Sequence, residues 1–288
     1  MICGERNYAR DFDAVSNCKR LCEHCVPKTS FGRLAKVLQA NAYNKRGACG
    51  NRRNGLGDAL QRRLVRKLDL EMAIAGILPH PSPKAHLEQY TITPEVAAEI
   101  LYTATYIYND IADKAVIDLG CGTGRLAIAA ALLGAKEVVG VDIDKVAIKQ
   151  AIRNTEKLGL NTRIDWIIAD IDAIHGNFDT VLQNPPFGVQ RRRADRKFLE
   201  RALQIGKRIY SLHKGVETFE AEKGHQPTLK SVAPSPFLKG FIESNGGEIE
   251  AVYVLLMGIP RIFEFHQKRW HQFPVNFYVI GRKEQKVY

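Results

Sequence analysis

Residues 116–124 read VIDLGCGTG, a short apolar run that ends in a loop with three glycines. Gly120, Gly122 and Gly124 permit a tight turn after a β-strand, in which a bound cofactor lies against bare backbone. Dinucleotide-binding proteins use the spacing G-x-G-x-x-G and direct a helix N-terminus at a pyrophosphate. The spacing here is G-x-G-x-G, which favours a cofactor without phosphate, S-adenosylmethionine (SAM). A nicotinamide dehydrogenase is the alternative.

Strand-like and helix-like segments alternate on both sides of this loop. The predicted strands are residues 115–119, 137–142, 165–170 and 178–183, the run RIYSL, and residues 248–258 and 274–283. The predicted helices are residues 58–75, 94–107, 124–134, 144–159, 195–206 and 235–246. Strands that alternate with crossover helices form a mostly parallel sheet with helices on both faces. We therefore predict an α/β, Rossmann-like fold of the class I SAM-dependent methyltransferase type. Its seven-stranded, mostly parallel sheet has a C-terminal antiparallel strand.

Acidic residues lie at or near the ends of the first three predicted strands. Asp142 is placed to accept hydrogen bonds from ribose hydroxyls. Asp118 lies behind the glycine loop, where it can receive the ammonium group of the methionine moiety. Asp170 and Ile171 supply a carboxylate for the adenine amino group and an apolar contact for the adenine ring. Together with the glycine loop, these residues predict a SAM site, in which Cys121 is a packing residue rather than a nucleophile.

The sequence Asn184-Pro185-Pro186-Phe187 follows the fourth predicted strand and opens at the carboxyl edge of the sheet. The exocyclic amine of adenine is a poor nucleophile because its lone pair is delocalised into the ring. The side-chain oxygen of Asn184 and the backbone carbonyl of Pro185 are candidate acceptors for its two hydrogens, which helps the nitrogen become pyramidal. The prolines stiffen the loop, and Phe187 offers a face to a flipped-out base. These four residues are the predicted catalytic site; a rigid turn without chemistry is the alternative.

A cluster of cations follows this motif directly. Its members predicted to bind RNA are Arg191, Arg192, Arg193 and Lys197. They would hold the phosphates that flank the target base. The alternative is a solvated helix start.

Residues 1–57 are predicted to be a poorly ordered basic extension ahead of a methyltransferase domain at residues 58–288. The extension has no sustained apolar period. The formal charge of the chain is +11, and residues 1–67 alone contain 15 Lys and Arg against 5 Asp and Glu. A basic arm beside a nearly neutral body indicates either a surface that faces nucleic acid or a solvated extension.

The cysteines Cys18, Cys22 and Cys25 have the spacing C-x3-C-x2-C. This spacing occurs in iron–sulfur radical enzymes that use the same methyl donor, but those enzymes need a large barrel domain, which this chain does not contain. A zinc site is the second interpretation. Its candidate fourth ligands are Cys3, His24 and Cys49. The third interpretation, which we adopt, is that these thiols hold no metal.

Five short segments together resemble the methyltransferase-like-five family and its archaeal relatives, which are adenine-N6 methyltransferases of small-subunit ribosomal RNA. The segments are LEQY (87–90), DLGCGTG (118–124), VDID (141–144), NPPFG (184–188) and YSLHK (210–214). The resemblance covers about residues 60–283 and implies a single Rossmann-like domain with Asn184 to Phe187 as the catalytic box. The donor-site residues that it implies are Gln89, Gly120, Thr123, Asp142, Asp170 and Ile171. His213 and Lys214 match the family's motif, but we assign them no chemical step; a phosphate contact on the substrate side and a local structural role are both open.

The resemblance also implies a partner, a small zinc-binding activator subunit that adds its edge strand to the methyltransferase sheet. The expected substrate is small-subunit rRNA. No membrane span or secretory signal is expected, since the chain has no long apolar run and no apolar segment at its N-terminus. The uneven placement of six cysteines suits a reducing cytoplasm.

Other functions remain open at this point. A DNA adenine methyltransferase carries the same box, and so does a protein glutamine methyltransferase, although the latter usually has Tyr after the two prolines. The alternative from a different class is a non-catalytic ribosome-assembly factor that binds RNA.

Overall fold

The computed structural model describes residues 65–160, 163–188, 193–215, 229–260 and 270–283. The helices are α1 (Lys67–Ala75), α2 (Pro94–Tyr102), α3 (Arg125–Leu132), α4 (Lys145–Lys157), α5 (Ala194–Ile205) and α6 (Pro236–Ser244). The strands are β1 (Ala115–Leu119), β2 (Glu137–Asp142), β3 (Ile164–Ile168), β4 (Phe178–Gln183), β5 (Gly206–Lys214), β6 (Lys230–Ser231), β7 (Gly247–Pro260) and β8 (Trp270–Arg282). The predicted extension with its cysteines, the predicted boundary at residue 57, and Arg191 and Arg192 lie outside the described residues. The predictions for them stay predictions.

The strands form one sheet in the order β3-β2-β1-β4-β5-β8-β7-β6. Strands β1 to β5 pair in parallel, and β8 runs antiparallel to both β5 and β7. The predicted mostly parallel sheet with a C-terminal antiparallel strand is therefore confirmed. The sheet has eight strands in place of the predicted seven, because the two-residue β6 pairs with β7. Two residues are too few to produce an alternating pattern in a sequence.

Helix and strand ends follow local capping. Helix α2 begins after Thr93, whose hydroxyl accepts a hydrogen bond from Val96 N–H at 3.4 Å, and Pro94 takes the first turn. The helix continues as a π-helical turn to Ile107. Strand β3 ends at Ile168, two residues earlier than predicted, because Asp170 caps a short 3-10 turn through Asp172 N–H.

Apolar side chains cover the sheet on both faces. Val116 of β1 packs with the side chains of α1, α2 and α3, whereas its neighbour Ile117 packs with those of α5 and α6. All eight residues of α3 are buried. A sheet buried on both faces leaves its carboxyl edge as the place where polar loops can meet. Among the described helices, none combines the length and the apolarity needed to cross a bilayer.

Candidate active site

A cavity of about 320 Å³ opens at the carboxyl edge of β1, β2, β3 and β4. Four parallel strands end at this edge, so the loops that follow them converge. The residues predicted for the donor site that line the cavity are Gln89, Asp118, Gly120, Gly122, Thr123, Asp142, Asp170 and Ile171. Asn184, Pro186, Arg193 and Lys197 also line it. Tertiary structure thus brings most of the predicted donor site and part of the predicted catalytic loop to one place, whereas Gly124, Pro185 and Phe187 do not line the cavity.

The glycine loop after β1 has the backbone that its sequence predicts. Gly120, Gly122 and Gly124 have φ angles of 69°, 55° and 88°, which side chains rarely tolerate. A Cβ atom on Gly124 would lie 2.4 Å from the Trp166 ring, and one on Gly120 would lie 2.8 Å from Phe198. A Cβ atom on Gly122 would meet no atom within 4 Å. Gly120 and Gly124 are therefore required by packing, while Gly122 leaves bare backbone on the cavity wall.

Asp142, at the end of β2, is held by backbone amides. Its Oδ2 accepts from Gly122 N–H and its Oδ1 accepts from Asp144 N–H, each at 2.8 Å. Burial raises the pKa of Asp142, and these two hydrogen bonds oppose that rise. Each carboxylate oxygen accepts more than one hydrogen bond. The fixed carboxylate therefore retains acceptor capacity for the two hydroxyls of a ribose.

Asp118 presents one unsatisfied acceptor behind the glycine loop. Its Oδ2 accepts from Ala127 N–H at 3.0 Å, whereas its buried Oδ1 has no hydrogen-bond partner among the described residues. Burial raises the pKa of Asp118 to about 7; the Ala127 N–H opposes this rise and the charge of Asp142 adds to it. An ammonium group placed here would donate a hydrogen bond to Oδ1. It would also supply a positive charge that stabilises the ionised carboxylate. This orphaned oxygen fits the methionine ammonium of SAM.

A segment between α1 and α2 passes beside the cavity and is held at both ends by Arg125. The guanidinium donates to Ile77 O at 2.9 Å and to Ile92 O. Burial lowers the pKa of Arg125 to about 10. The sequence did not predict a role for Arg125, because no sequence pattern shows which buried arginine reaches the carbonyls of a distant segment.

Gln89, in the middle of that segment, lines the cavity with its amide already engaged. Its Nε2 donates to Asp144 Oδ2 at 2.9 Å, and its Oε1 accepts from Lys84 N–H at 2.8 Å. His80 also reaches Asp144, with Nε2 at 3.2 Å from Oδ2. Because His80 Nδ1 accepts from Ser82 N–H, Nε2 carries the proton and donates it. Asp144 thus anchors the segment; its place in VDID, two residues after Asp142, was the available signal.

The catalytic loop presents a second unsatisfied acceptor. Asn184 Oδ1 is buried and has no hydrogen-bond partner among the described residues. Pro186 lines the cavity beside it. Phe187 is half-buried and packs edge-to-face on Phe273, with ring centroids 5.9 Å apart. The loop therefore combines a free carbonyl acceptor with a partly exposed aromatic ring, next to the donor cavity.

Two of the predicted RNA-binding residues lie in the described part of the chain. Arg193 precedes α5 and lines the cavity. Lys197 Nζ lies 2.7 Å from Asp170 Oδ1 and 2.9 Å from Asp172 Oδ2. Lys197 therefore neutralises the carboxylates at the predicted adenine end of the cavity, and its contact with RNA stays a prediction.

The buried Cys121 belongs to packing. This residue of the glycine loop has a free, buried thiol, and burial raises its pKa well above the usual range. A thiol of raised pKa is a poor nucleophile at neutral pH.

The fold and the donor cavity together define a class I SAM-dependent methyltransferase. Residues 103–185 match the protein family described as Ribosomal protein L11 methyltransferase (PrmA). A Danio rerio protein named rRNA N(6)-adenosine-methyltransferase METTL5 is 32% identical, over 73% of this chain and 95% of its own. The chain belongs to the METTL5 family, which confirms the resemblance drawn from the sequence.

Two archaeal proteins support this assignment. A Methanocaldococcus jannaschii protein named as uncharacterized is 40% identical, over 76% of this chain and 95% of its own. The crystal structure of a Pyrococcus horikoshii protein titled "putative RNA methyltransferase" superposes with a TM-score of 0.65 at 32% identity. That superposition covers 76% of this chain and 99% of the other. The similarity therefore extends over 76% of the chain and not over the glycine loop alone.

Proposed function

We propose that this protein transfers a methyl group from SAM to the N6 atom of an adenosine in small-subunit ribosomal RNA. The observation that carries the proposal is the buried, unpartnered Oδ1 of Asn184 beside the donor cavity. A buried acceptor without a donor costs free energy, so a ligand that brings a donor is favoured there. The name of the Danio rerio relative supports adenine N6 as that donor.

The residues of the chain act by positioning the target amine. Asn184 Oδ1 accepts one amino hydrogen, and the Pro185 carbonyl accepts the other. Both contacts draw the nitrogen out of conjugation, which frees its lone pair to attack the methyl carbon that SAM would supply, with S-adenosylhomocysteine as the leaving group. Phe187 offers its face to the extruded base.

SAM, when bound, supplies an electrophilic methyl group on a sulfonium sulfur. The residues that hold it on this proposal are Asp118 for the ammonium, Asp142 for the ribose hydroxyls, and Asp170 with Ile171 for the adenine. The nitrogen that gains the methyl group gives up one proton to solvent afterwards, so the site needs no strong general base.

The test is methyl transfer from labelled SAM to small-subunit rRNA, followed by nucleoside analysis. Release-factor protein and duplex DNA are assayed in parallel, with Asn184→Ala as the impaired variant and Asn245→Ala, at the exposed residue that follows α6, as its matched control. N6-methyladenosine in rRNA that forms more slowly only in Asn184→Ala supports the proposal. Label in protein or DNA instead would mean that the enzyme performs the same chemistry on another substrate. Tight donor binding with no label in any substrate favours a non-catalytic RNA-binding factor.

We also propose that a small zinc-binding activator subunit adds a strand at β3. Strand β3 is one edge of the sheet and pairs on one side with β2. Its side chains Ile167 and Ile168 are 39% and 51% exposed, and Ile143 beside them is 56% exposed. The opposite edge, β6, is short and polar, which discourages strand addition. An apolar edge with free backbone groups suits an added strand.

Co-purification tests this partner. Ile168→Glu should abolish co-purification with a co-expressed zinc-binding activator, because the charge would be buried without a partner. Phe237→Glu, on α6 at the far side and equally exposed at 51%, is the matched control. Retention of the activator by Ile168→Glu would refute docking at β3. We further propose that the protein acts in the cytoplasm, whose reducing environment suits the free thiol of Cys121.

A further inference from the structure

The segment YSLHK ends β5, and the reaction described above gives its histidine no role. His213 is buried, with Nε2 at 2.8 Å from Ser211 Oγ. Ser211 Oγ in turn lies 2.9 Å from Gln183 Nε2. Gln183, Ser211 and His213 therefore form a continuous buried chain of hydrogen bonds.

The sheet register explains why these side chains meet. Gln183, the last residue of β4, is the direct partner of Ser211 in β5. Residues two apart on a strand share a face, so His213 lies beside Ser211. The ring of Tyr278 on β8 packs edge-to-face on His213 at 5.3 Å between centroids. Asp195, in the first turn of α5, also approaches this ring: its Oδ2 lies 4.0 Å from His213 Nδ1.

One assignment of donors and acceptors satisfies the hydrogen bonds among Gln183, Ser211 and His213. Burial lowers the pKa of His213 to about 4, so the ring is neutral at physiological pH. The nearby Asp195 carboxylate favours the remaining proton on Nδ1, which leaves Nε2 as an acceptor. Ser211 then donates its hydroxyl proton to Nε2 and accepts from Gln183 Nε2. The orientation of the Gln183 carboxamide is fixed by this sequence of donors.

The hydrogen-bond chain starts at one end of the catalytic loop, and its histidine lies 4.0 Å from Asp195, near the other end. Gln183 directly precedes Asn184, and Asp195 lies just beyond Arg193, where the backbone has a φ of 66°. Both Gln183 Oε1 and Asn184 Oδ1 are buried acceptors without a hydrogen-bond partner among the described residues. The only side-chain bond that fixes Gln183 within the described residues is therefore the one to Ser211.

We propose that His213 is a positioning residue for methyl transfer, which holds the root of the catalytic loop through Ser211 and Gln183 and so orients the Asn184 carboxamide. The inference rests on the proposed function, because it assigns Asn184 the target amine. His213 is buried and does not line the donor cavity. Its loss should slow the chemical step and leave donor binding intact.

Two substitutions at His213 separate positioning from packing. His213→Leu keeps much of the volume and removes the acceptor, and we expect kcat to fall by about tenfold or more with KM for rRNA and SAM affinity unchanged. His213→Gln restores an acceptor near the position of Nε2 and should recover most of kcat. Ser211→Ala breaks the same chain with little loss of volume and should resemble His213→Leu. Ser244→Ala, on the exposed end of α6, is its matched control.

A double-mutant cycle identifies the route of the effect. In an Asn184→Ala background, His213→Leu should add little, because its effect passes through Asn184. Additive losses, or a His213→Gln variant as slow as His213→Leu, would overturn the inference. If His213→Leu fails to fold, a normal kcat in Ser211→Ala would overturn it equally.

Hydrogen exchange supplies a readout that does not depend on activity. The backbone amides of Asn184, Phe187 and Gly188 should exchange faster in Ser211→Ala than in Ser244→Ala. If the wild-type protein methylates no rRNA while these amides respond, the proposed reaction fails and the loop support stands. If the wild-type protein methylates rRNA but Ser211→Ala changes neither kcat nor amide exchange, the inference about His213 fails and the proposed reaction stands.

Discussion

The carboxylate Oδ2 of Asp142 accepts a hydrogen bond from the backbone N–H of Gly122 at 2.8 Å. This contact joins the end of β2 to the middle of the loop after β1. Gly122 has a φ of 55°, so the turn that presents its N–H is one that glycine adopts without strain. The glycine loop and the carboxylate that we propose for ribose binding are therefore one unit, in which each holds the other in position.

Asp142→Ala should remove both the ribose acceptor and the anchor of the loop. We expect affinity for S-adenosylhomocysteine to fall by about tenfold to a hundredfold, the effect of losing one or two charge-assisted hydrogen bonds. Isothermal titration measures it, with Asp165→Ala on the exposed side of β3 as control. An unchanged dissociation constant for Asp142→Ala would contradict the ribose assignment.

Two glycines of the loop should respond differently to alanine. Gly122→Ala places a methyl group in open space, so its cost to the free energy of unfolding is limited to the backbone, about 1–2 kcal/mol. Gly124→Ala adds a clash with Trp166 and should cost roughly 2–4 kcal/mol. Urea unfolding compares the two variants. Equal destabilisation would mean that packing on Trp166 does not require Gly124.

Affinity for SAM should rise with pH as Asp118 ionises. Its pKa of about 7 in the unliganded protein means that the carboxyl is largely protonated at about pH 6 and cannot pair with an ammonium. Affinity should therefore increase by up to about tenfold per pH unit below pH 7 and level off above it. Because the folded-state pKa is raised, stability of the unliganded protein should decrease as pH rises from the unfolded pKa, about 4, towards 7.

Titrations of SAM at several pH values, repeated with Asp118→Asn, check this dependence. The variant carries no ionisable group at this position, and its affinity should be low and flat across the range. A variant that keeps the slope of the wild type would assign the titration to another group.

Asn184→Ala should impair catalysis without weakening donor binding. Removal of one amine acceptor costs on the order of 1–3 kcal/mol in the transition state, a loss in kcat of about tenfold per 1.4 kcal/mol. Single-turnover assays with saturating SAM measure the loss. A collapse of SAM affinity in this variant would show instead that Asn184 supports the loop structure.

The basic residues after the catalytic loop should control the salt dependence of RNA binding. Arg191→Ala with Arg192→Ala is expected to flatten the slope of log K against log salt by about 0.7 for each lost phosphate contact on single-stranded RNA. Lys197→Ala should flatten it further only if its ammonium leaves Asp170 and Asp172 on binding. Filter binding at several salt concentrations gives the slopes. An unchanged slope would indicate that the arginines are solvated residues at a helix start and do not contact RNA phosphates.

The central strands could be predicted closely from the sequence. Residues 115–119, 137–142 and 178–183 match β1, β2 and β4, because continuous apolar runs bounded by turn residues are typical of strands buried on both faces. The predicted end of β3 lies too far along the chain, because the sequence alone does not show that Asp170 caps a turn and does not continue the strand. The two-residue β6 has no pattern of its own, and only its pairing with β7 identifies it.

The donor cavity was predictable for a related reason. Parallel strands share a carboxyl edge, so the loops that hold Gly120, Asp142, Asp170 and Asn184 had to meet once the alternation of strands and helices was recognised. The sequence by itself thus determined the fold class, the family and many of the residues around the cavity.

Only the tertiary structure decided how those residues are held. The amide of Gln89 is engaged by Asp144, the ammonium of Lys197 lies between Asp170 and Asp172, and Arg125 fixes a segment distant in the chain. His213 reaches the catalytic loop through Ser211, which the register of β4 and β5 places beside Gln183. Local patterns fix which face a side chain occupies. Its partner across that face depends on register and on packing between distant segments, which no short stretch of sequence contains.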